Sequence, residues 1–325
     1  MASNHIDLDG RTVLITGGSR GLGLLLAEAF GLRGARIALC GRAPEAVDRA
    51  ENRLRGMGID VHAVACDLGE PPLARNFVES TFDRFGRIDV IVNNAGTIQV
   101  GPIESVTVER FHDAMDANFW SAVYVTLTAL PTLKLSGSDA RIVNVTSIGG
   151  RAGMPHMLPY DSSKYALMGF SEALRAELSS RPGMPRVVTV VPGLMRTGSF
   201  YNAEFAGNPM DEFGWFSVGS SLPFLTIDAT TAAKRIVEAT VDGRTFLRLG
   251  MSSYVLDFLH RLSPAMTVRL MGLVARMLPK GSQTLDTFSM KGRLVDSELP
   301  GSWLLKLGDK AATANNEMPP SAARA

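Results

Sequence analysis

Thr12-Val-Leu-Ile-Thr16-Gly-Gly-Ser-Arg-Gly-Leu-Gly23-Leu-Leu-Leu-Ala-Glu-Ala-Phe30 is the stretch on which the fold turns. Its first residues, Thr12 to Ile15, form a short apolar run that reads as a buried strand. Leu24 to Arg33 reads as a helix. Strand, glycine turn and helix in that order are the context that makes a glycine pattern a dinucleotide-site hypothesis. Gly17 lets the chain turn sharply. Gly21 and Gly23 keep side chains clear of a pyrophosphate and of helix–strand packing. The helix N-terminus then offers free N–H groups and a positive dipole end to phosphates. A glycine turn without a ligand is the competing reading, so the surroundings must decide.

The rest of the chain repeats the alternation of strand and helix. Apolar runs predict strands at Thr12–Thr16, Arg36–Cys40, Val61–Ala65, Asp89–Asn93, Arg141–Val145, Val187–Val191 and Phe246–Leu249. Helices are predicted at Glu45–Met57, Leu73–Phe85, Val108–Leu130, Tyr160–Leu178 and Ala229–Val241. This pattern predicts an α/β fold with one doubly wound parallel sheet of about seven strands and helices on both faces. A helical extension follows residue 250. No internal repeat is visible.

Chemistry concentrates downstream of the turn. Tyr160 and Lys164 are four residues apart, so on a helix they share a face. A phenol is a poor acid near neutrality, with an ordinary pKa of about 10. A cation held beside it favours the phenolate. That suits proton transfer to or from an alcohol or carbonyl oxygen. Ser147, 13 residues before Tyr160, would bond the same oxygen. Asn93-Asn-Ala-Gly96 ends one apolar run, Asn118 lies inside a helical stretch, and Pro192-Gly193 with Thr197 ends another strand.

Taken together, these motifs resemble the short-chain dehydrogenase/reductase family, in the branch with a Thr-Gly-x-x-x-Gly-x-Gly turn and a Tyr-x-x-x-Lys pair. The resemblance covers roughly Leu8 to Leu249. It implies a Rossmann-like domain over residues 1–250 and a nicotinamide cofactor. It makes Tyr160 the general acid/base and Lys164 the group that bonds the nicotinamide ribose and lowers the tyrosine pKa. Ser147 would orient the substrate carbonyl, and Asn118 would hold a water linking the lysine to solvent. The cofactor would lie along Gly17, Ser19, Arg20, Gly21, Leu22, Gly23, Arg42, Asp67, Leu68, Asn94, Ala95, Gly96, Pro192, Gly193 and Thr197. The family also implies a homo-oligomer joined through the helices near Asn118 and Tyr160.

Charge argues the choice of cofactor. NAD-type sites carry an acid about 20 residues past the glycine turn. Here that position holds Gly41 and Arg42, and Arg20 lies inside the turn. Two guanidinium groups suit a 2′-phosphate, so the expected cofactor is NADP(H). The expected activity is that of a carbonyl reductase or alcohol dehydrogenase. A same-fold enzyme without net redox chemistry, and a protein that binds NADP(H) without turnover, are the other classes. The first would need an extra acid or base in the pocket. Beyond Pro192, only Glu204, Asp211 and Glu212 are at hand. No metal is called for, since His5, His62, His112, His156 and His260 are scattered. His156 reads as a surface-loop residue.

Beyond strand six the chain speaks of substrate. Phe200, Tyr201, Phe205, Phe213, Trp215, Phe216 and Phe224 crowd residues 194–227, which read as a long irregular lid. They are either an aromatic cover for a lipophilic substrate or a small core of their own. Met154, Met157 and Leu158 would face the same pocket. Residues 254–278 are apolar, with Arg261, Arg269 and Arg276 at near-helical spacing. They read as amphipathic packing, a peripheral membrane contact, or a cap on a partner or the substrate mouth. After Lys280, turns at Gly281, Gly292 and Gly301 suggest an extended arm to residue 310. Residues 311–325, small and polar, read as disordered.

Bulk properties agree. The 325 residues carry a net charge of +1, which offers nothing to nucleic acid. Met1 to Asp9 shows no signal-peptide pattern, and no run reaches the ~18 apolar residues of a membrane span. A cytoplasmic location follows as the expectation, with membrane association through residues 254–278 as an addition. Two cysteines, Cys40 and Cys66, end predicted strands that could be neighbours in the sheet, and read as buried thiols rather than a disulfide.

Overall fold

Short runs of Val, Ile and Leu, buried on both faces, make the strands of a parallel sheet. The computed structural model describes residues 5–222, 226–281, 288–296 and 306–318. In chain order its strands are β1 (Thr12–Ile15), β2 (Arg36–Gly41), β3 (Val61–Ala65), β4 (Val90–Asn93), β5 (Gln99–Val100), β6 (Arg141–Val145), β7 (Arg186–Pro192), β8 (Met195–Arg196), β9 (Glu204–Ala206), β10 (Ile227–Asp228), β11 (Phe246–Leu249) and β12 (Ser289–Lys291). The helices are α1 (Gly21–Gly31), α2 (Pro44–Gly56), α3 (Pro71–Phe85), α4 (Val108–Met115), α5 (Ser121–Leu135), α6 (Leu158–Ser179), α7 (Pro209–Ser221), α8 (Ala229–Val241), α9 (Met251–Leu262), α10 (Pro264–Ala275), α11 (Gly292–Asp296) and α12 (Lys306–Ala314).

Seven strands form the central sheet in the order β11-β7-β6-β4-β1-β2-β3, all parallel. The order reverses between β1 and β4, and in such sheets the ligand crevice opens there, at the carboxyl ends of the strands. Leu24, Phe30, Leu54 and Ile236 from α1, α2 and α8 cover one face. Phe77, Val125, Leu133 and Leu178 from α3, α5 and α6 cover the other. Cys40 and Cys66 lie on the neighbouring β2 and β3 side of the sheet as free thiols.

The helix predicted over Val108–Leu130 is not continuous. A π-helical segment, Asp116–Trp120, separates α4 from α5 and contains Asn118. Such insertions mark functional positions in many helices. Here the segment carries Asn118, which is fully buried.

The predicted irregular lid is also more ordered than its composition implies. It holds α7, and β9 joins β5 and β12 in a second, three-stranded sheet. β12 lies in the presumed arm, antiparallel to β9, so the C-terminal extension is woven into the lid. Phe224 and Gly301 lie outside the described residues.

Residues 311–318 correct the expectation of disorder. α12 runs to Ala314, and Ala312, Asn315 and Glu317 are buried. Small side chains allow the close approach. A Cβ on Gly308 would lie 2.8 Å from Phe200, and one on Gly198 would lie 2.4 Å from Ala312. Residues 319–325 lie outside the described residues.

α9 and α10 form a hairpin on the β11 edge. α9 turns Ser252 and Leu256 toward the crevice. Outward, Phe258, Leu262, Val268, Leu273 and Met277 are more than half exposed, and Arg261, Arg269 and Arg276 are exposed among them. No helix among the described residues is long and apolar enough to cross a membrane.

Candidate active site

The glycine turn between β1 and α1 is held from below. Thr16 Oγ1 accepts the N–H groups of Asn94 and Ala95, each at 2.9 Å. Asn94 Nδ2 donates to the carbonyls of Thr16 at 3.1 Å and Gly17 at 3.2 Å. So the Asn-Ala-Gly segment after β4 splints the turn after β1. A Cβ on Gly23 would stand 2.1 Å from the Gly17 carbonyl oxygen, a clash with backbone that no rotamer relieves. Gly21 adopts φ 57, a conformation that costs glycine little.

One cleft of about 500 Å³ runs from this turn across the carboxyl edge of the sheet. Gly17, Ser19, Arg20, Gly21, Leu22 and Gly23 line one end, with Arg42, Asp67 and Leu68 at the tips of β2 and β3. Asn94, Ala95 and Gly96 form the floor, and Pro192, Gly193 and Thr197 the far wall. Asn118, Ser147, Tyr160 and Lys164 stand beside them. Every site residue read from the sequence lies on this cleft. The cleft suits an extended phosphate-bearing ligand: it runs past the N-terminus of α1, which no side-chain hydrogen bond from its N-cap residue satisfies.

The candidate catalytic side chains are placed by helix and strand. α6 begins at Leu158, with Pro159 in its first turn, and carries Tyr160 and Lys164 one turn apart. Ser147 follows β6 and accepts the N–H of Gly149 at 3.1 Å. Lys164 Nζ donates to the Val145 carbonyl at 3.2 Å and lies 5.9 Å from the Tyr160 ring centre. Gly96 makes room for it, since a Cβ there would sit 3.4 Å from Nζ and 2.4 Å from Asn118 Oδ1. Asn118 accepts from the Thr97 N–H at 2.9 Å and donates to Ser163 Oγ at 2.9 Å and to the Thr97 carbonyl at 3.1 Å.

Burial sets the proton affinities. It pushes the Tyr160 phenol up to about 12, against the downward pull of a hydrogen bond with Ser147 and with the help of the Asp161 charge. It pushes the Lys164 ammonium down to about 8. The lowering of the phenol expected from Lys164 is absent: only the hydrogen bond with Ser147 pulls it down, and desolvation outweighs that pull.

Several residues on the cleft escaped the sequence reading. Asp161, the residue after Tyr160, is only 6% exposed. Its Oδ2 accepts the Met154 N–H at 2.5 Å, while Oδ1 is buried without a partner. Burial raises this carboxyl to about 8. Lys291, Arg293 and Glu317 reach the cleft from the C-terminal extension. Arg20, read as open to a 2′-phosphate, instead donates to Asn202 Oδ1 at 2.8 Å and lies 3.5 Å from a Glu317 oxygen. Arg42 is more open, with Asp67 at 4.0 Å.

The aromatic lid is chiefly a core of its own. Phe200, Tyr201, Phe205 and Phe213 are at most 1% exposed; Phe213 meets Phe200 and Phe205 edge to face, and Tyr201 packs tilted against Phe200 and Phe213. Among the described lid rings, Phe216 alone lines the cleft, with Met154, Met157, Leu194, Met195 and Leu256. His156 is not a surface-loop residue. It bonds the buried Glu212 at 2.8 Å and ties the loop before α6 to α7.

This chain is similar to known proteins. The family model for short chain dehydrogenase matches residues 11–204. An 11-beta-hydroxysteroid dehydrogenase A of Sesamum indicum is 34% identical over 247 residues, 74% of this chain and 68% of that protein. An 11-beta-hydroxysteroid dehydrogenase-like 4A of Arabidopsis thaliana is 33% identical over 264 residues, 80% of this chain and 83% of that protein. Among solved structures, a short-chain dehydrogenase from Streptomyces avermitilis superposes with a TM-score of 0.69 at 28% identity, covering 82% of this chain and 98% of its own. The family match over residues 11–204, together with these relatives, makes this chain an oxidoreductase of the short-chain dehydrogenase family.

Proposed function

We propose that the protein is an NADP(H)-dependent carbonyl reductase or alcohol dehydrogenase acting on a bulky, lipophilic ketone, aldehyde or secondary alcohol. The observation that carries this reading is the single cleft that joins the glycine turn to Ser147, Tyr160 and Lys164. A nicotinamide bound there supplies or accepts the hydride. Ser147 is placed to donate its hydroxyl proton to the substrate oxygen and hold it toward Tyr160. In reduction, Tyr160 gives that oxygen its phenolic proton; in oxidation it takes the alcohol proton back. Lys164, buried and cationic, stabilises the phenolate that reduction leaves behind.

Met154, Met157, Leu194, Met195, Phe216 and Leu256 support the lipophilic class. They line the substrate end with apolar surface. The names of the Sesamum and Arabidopsis relatives point the same way, toward hydroxysteroids. Arg42, more than half exposed at the tip of β2, supports NADP(H) over NAD(H). Arg42→Ala should weaken NADPH binding about tenfold, the scale of one charge-assisted bond, and leave NADH unchanged. Fluorescence titration with each reduced cofactor checks this. Equal losses for both cofactors would remove Arg42 from the 2′-phosphate.

Asp161 favours one second reading, a same-fold enzyme without net redox chemistry, because it adds a buried acid to the pocket. Stoichiometric consumption of the cofactor separates the two.

A further inference from the structure

The C-terminal helix ends on the cofactor turn. Asn316 takes a left-handed conformation, φ 58, and the Glu317 N–H returns to the Ala312 carbonyl at 2.9 Å. This is the bond pattern that stops a helix through one left-handed residue. The stop aims three residues at the β1–α1 turn. The Asn315 carbonyl accepts the Gly21 N–H at 2.7 Å. Asn316 Nδ2 donates to the carbonyls of Ser19 at 2.7 Å and Ala46 at 3.1 Å, and its Oδ1 accepts from Arg49 Nε at 2.7 Å.

Glu317 reaches furthest. One carboxylate oxygen lies 3.5 Å from Arg20 Nε and accepts from Asn202 Nδ2 at 2.6 Å. The other lies 2.4 Å from where a Cβ on Gly21 would be. The room left by the missing Gly21 side chain therefore holds a carboxylate of the same chain. That room, on the first turn of α1, is where helix dipole and free amides favour an anion.

We propose that Asn315–Glu317 is a tethered competitor for the phosphates of the dinucleotide, and must leave the turn when the cofactor binds. This rests on the reading of the cleft as a nicotinamide dinucleotide site. The tail already engages two of the groups that the turn offers an anion, the Gly21 amide and the Arg20 guanidinium. A phosphate brought to the same place would meet the Glu317 carboxylate in a water-poor pocket, where like charges repel strongly. α12 keeps its own hold on the lid through Tyr201, whose hydroxyl donates to Asp309 Oδ1 at 2.7 Å. The tail also touches the lid directly, since Asn315 Nδ2 donates to the Thr197 carbonyl at 3.2 Å. Cofactor binding thus frees Asn202 and Thr197 as it displaces the tail.

The test is fluorescence titration of NADPH and NADH against the full chain, Glu317→Gln, and a chain ending at Lys310, each checked for folding by thermal melting. Hydrogen exchange of residues 311–318 is followed with and without NADPH. The expected result is NADPH binding about tenfold tighter in both variants, and faster exchange of the wild-type tail once NADPH is added. If the truncated chain does not fold, Glu317→Gln and the exchange data carry the test. Weaker or unchanged binding in Glu317→Gln, or a tail that NADPH protects, would overturn the proposal and make the segment a clasp or a structural end. Failure of every form, wild type included, to bind either cofactor would overturn the dinucleotide reading itself.

Discussion

Tyr160→Phe should lower kcat by about a thousandfold, in the middle of the range that a positioned acid or base contributes. The substitution removes one oxygen and keeps the ring that α6 packs against the lid. Fold and cofactor affinity should therefore survive it. The Ser147 hydroxyl would remain to polarise the substrate oxygen, but no group would deliver the proton. The wild-type pH profile should follow the same residue. Reduction needs the neutral phenol, and with the phenol pushed up to about 12 it stays protonated through the neutral range. Oxidation needs the phenolate, so its rate should climb with pH. That climb should be opposed above about 8, where Lys164 loses its charge. Steady-state rates in both directions, with a cofactor titration of the variant, check this. A variant that retains a tenth or more of the wild-type rate would remove Tyr160 from the proton transfer.

Asp161→Asn should raise stability, and by an amount that grows with pH. The folded carboxyl titrates at about 8, against an ordinary value of 3.8. Its folded pKa is raised, so the folded chain holds this proton more tightly than the unfolded one. Between about pH 4 and pH 8 the unfolded state has lost the proton while the folded state keeps it, and stability falls as pH rises. The accumulated loss is on the order of 5 kcal/mol at pH 8 and above. Asparagine mimics the protonated acid in shape: its oxygen can accept from the Met154 N–H, and its Nδ2 takes the orphaned Oδ1 position. The variant should match wild type near pH 4 and be several kcal/mol more stable at pH 8.5. Urea unfolding at pH 5.5, 7 and 8.5 reads the slope. Parallel pH dependence in the two proteins would mean that Asp161 is not the titrating group.

Most of the central sheet was legible because its signals are local. Short apolar runs bounded by turns read as strands, and Val61–Ala65, Arg141–Val145 and Phe246–Leu249 begin and end where the sequence places them. The glycine turn and the Tyr160–Lys164 spacing are local as well, each set by a few consecutive residues.

What the sequence hid depends on contacts far apart in the chain. Asn316 bonds Ser19, 297 residues away, and nothing in a small, polar tail announces that partner. The aromatic residues of the lid could pack on substrate or on one another, and composition is the same in both cases. Burial of Phe205 and Phe213 decides for mutual packing. The break at Asn118 is invisible because Asp116–Trp120 keeps helical spacing while one extra residue is inserted per turn. Asp161 was in plain view between Tyr160 and Lys164, but only the fold turns it into a buried acid against Gly149 and Met154.

The most direct measurement is transfer of label. NADPH carrying deuterium at the nicotinamide C4 would be incubated with a mixture of lipophilic ketones, steroid ketones among them, and the products read by mass spectrometry. The account predicts an alcohol with one deuterium on the carbinol carbon, formed by wild type and absent with Tyr160→Phe. Products without the label, or NADPH left intact while a substrate is converted, would contradict it.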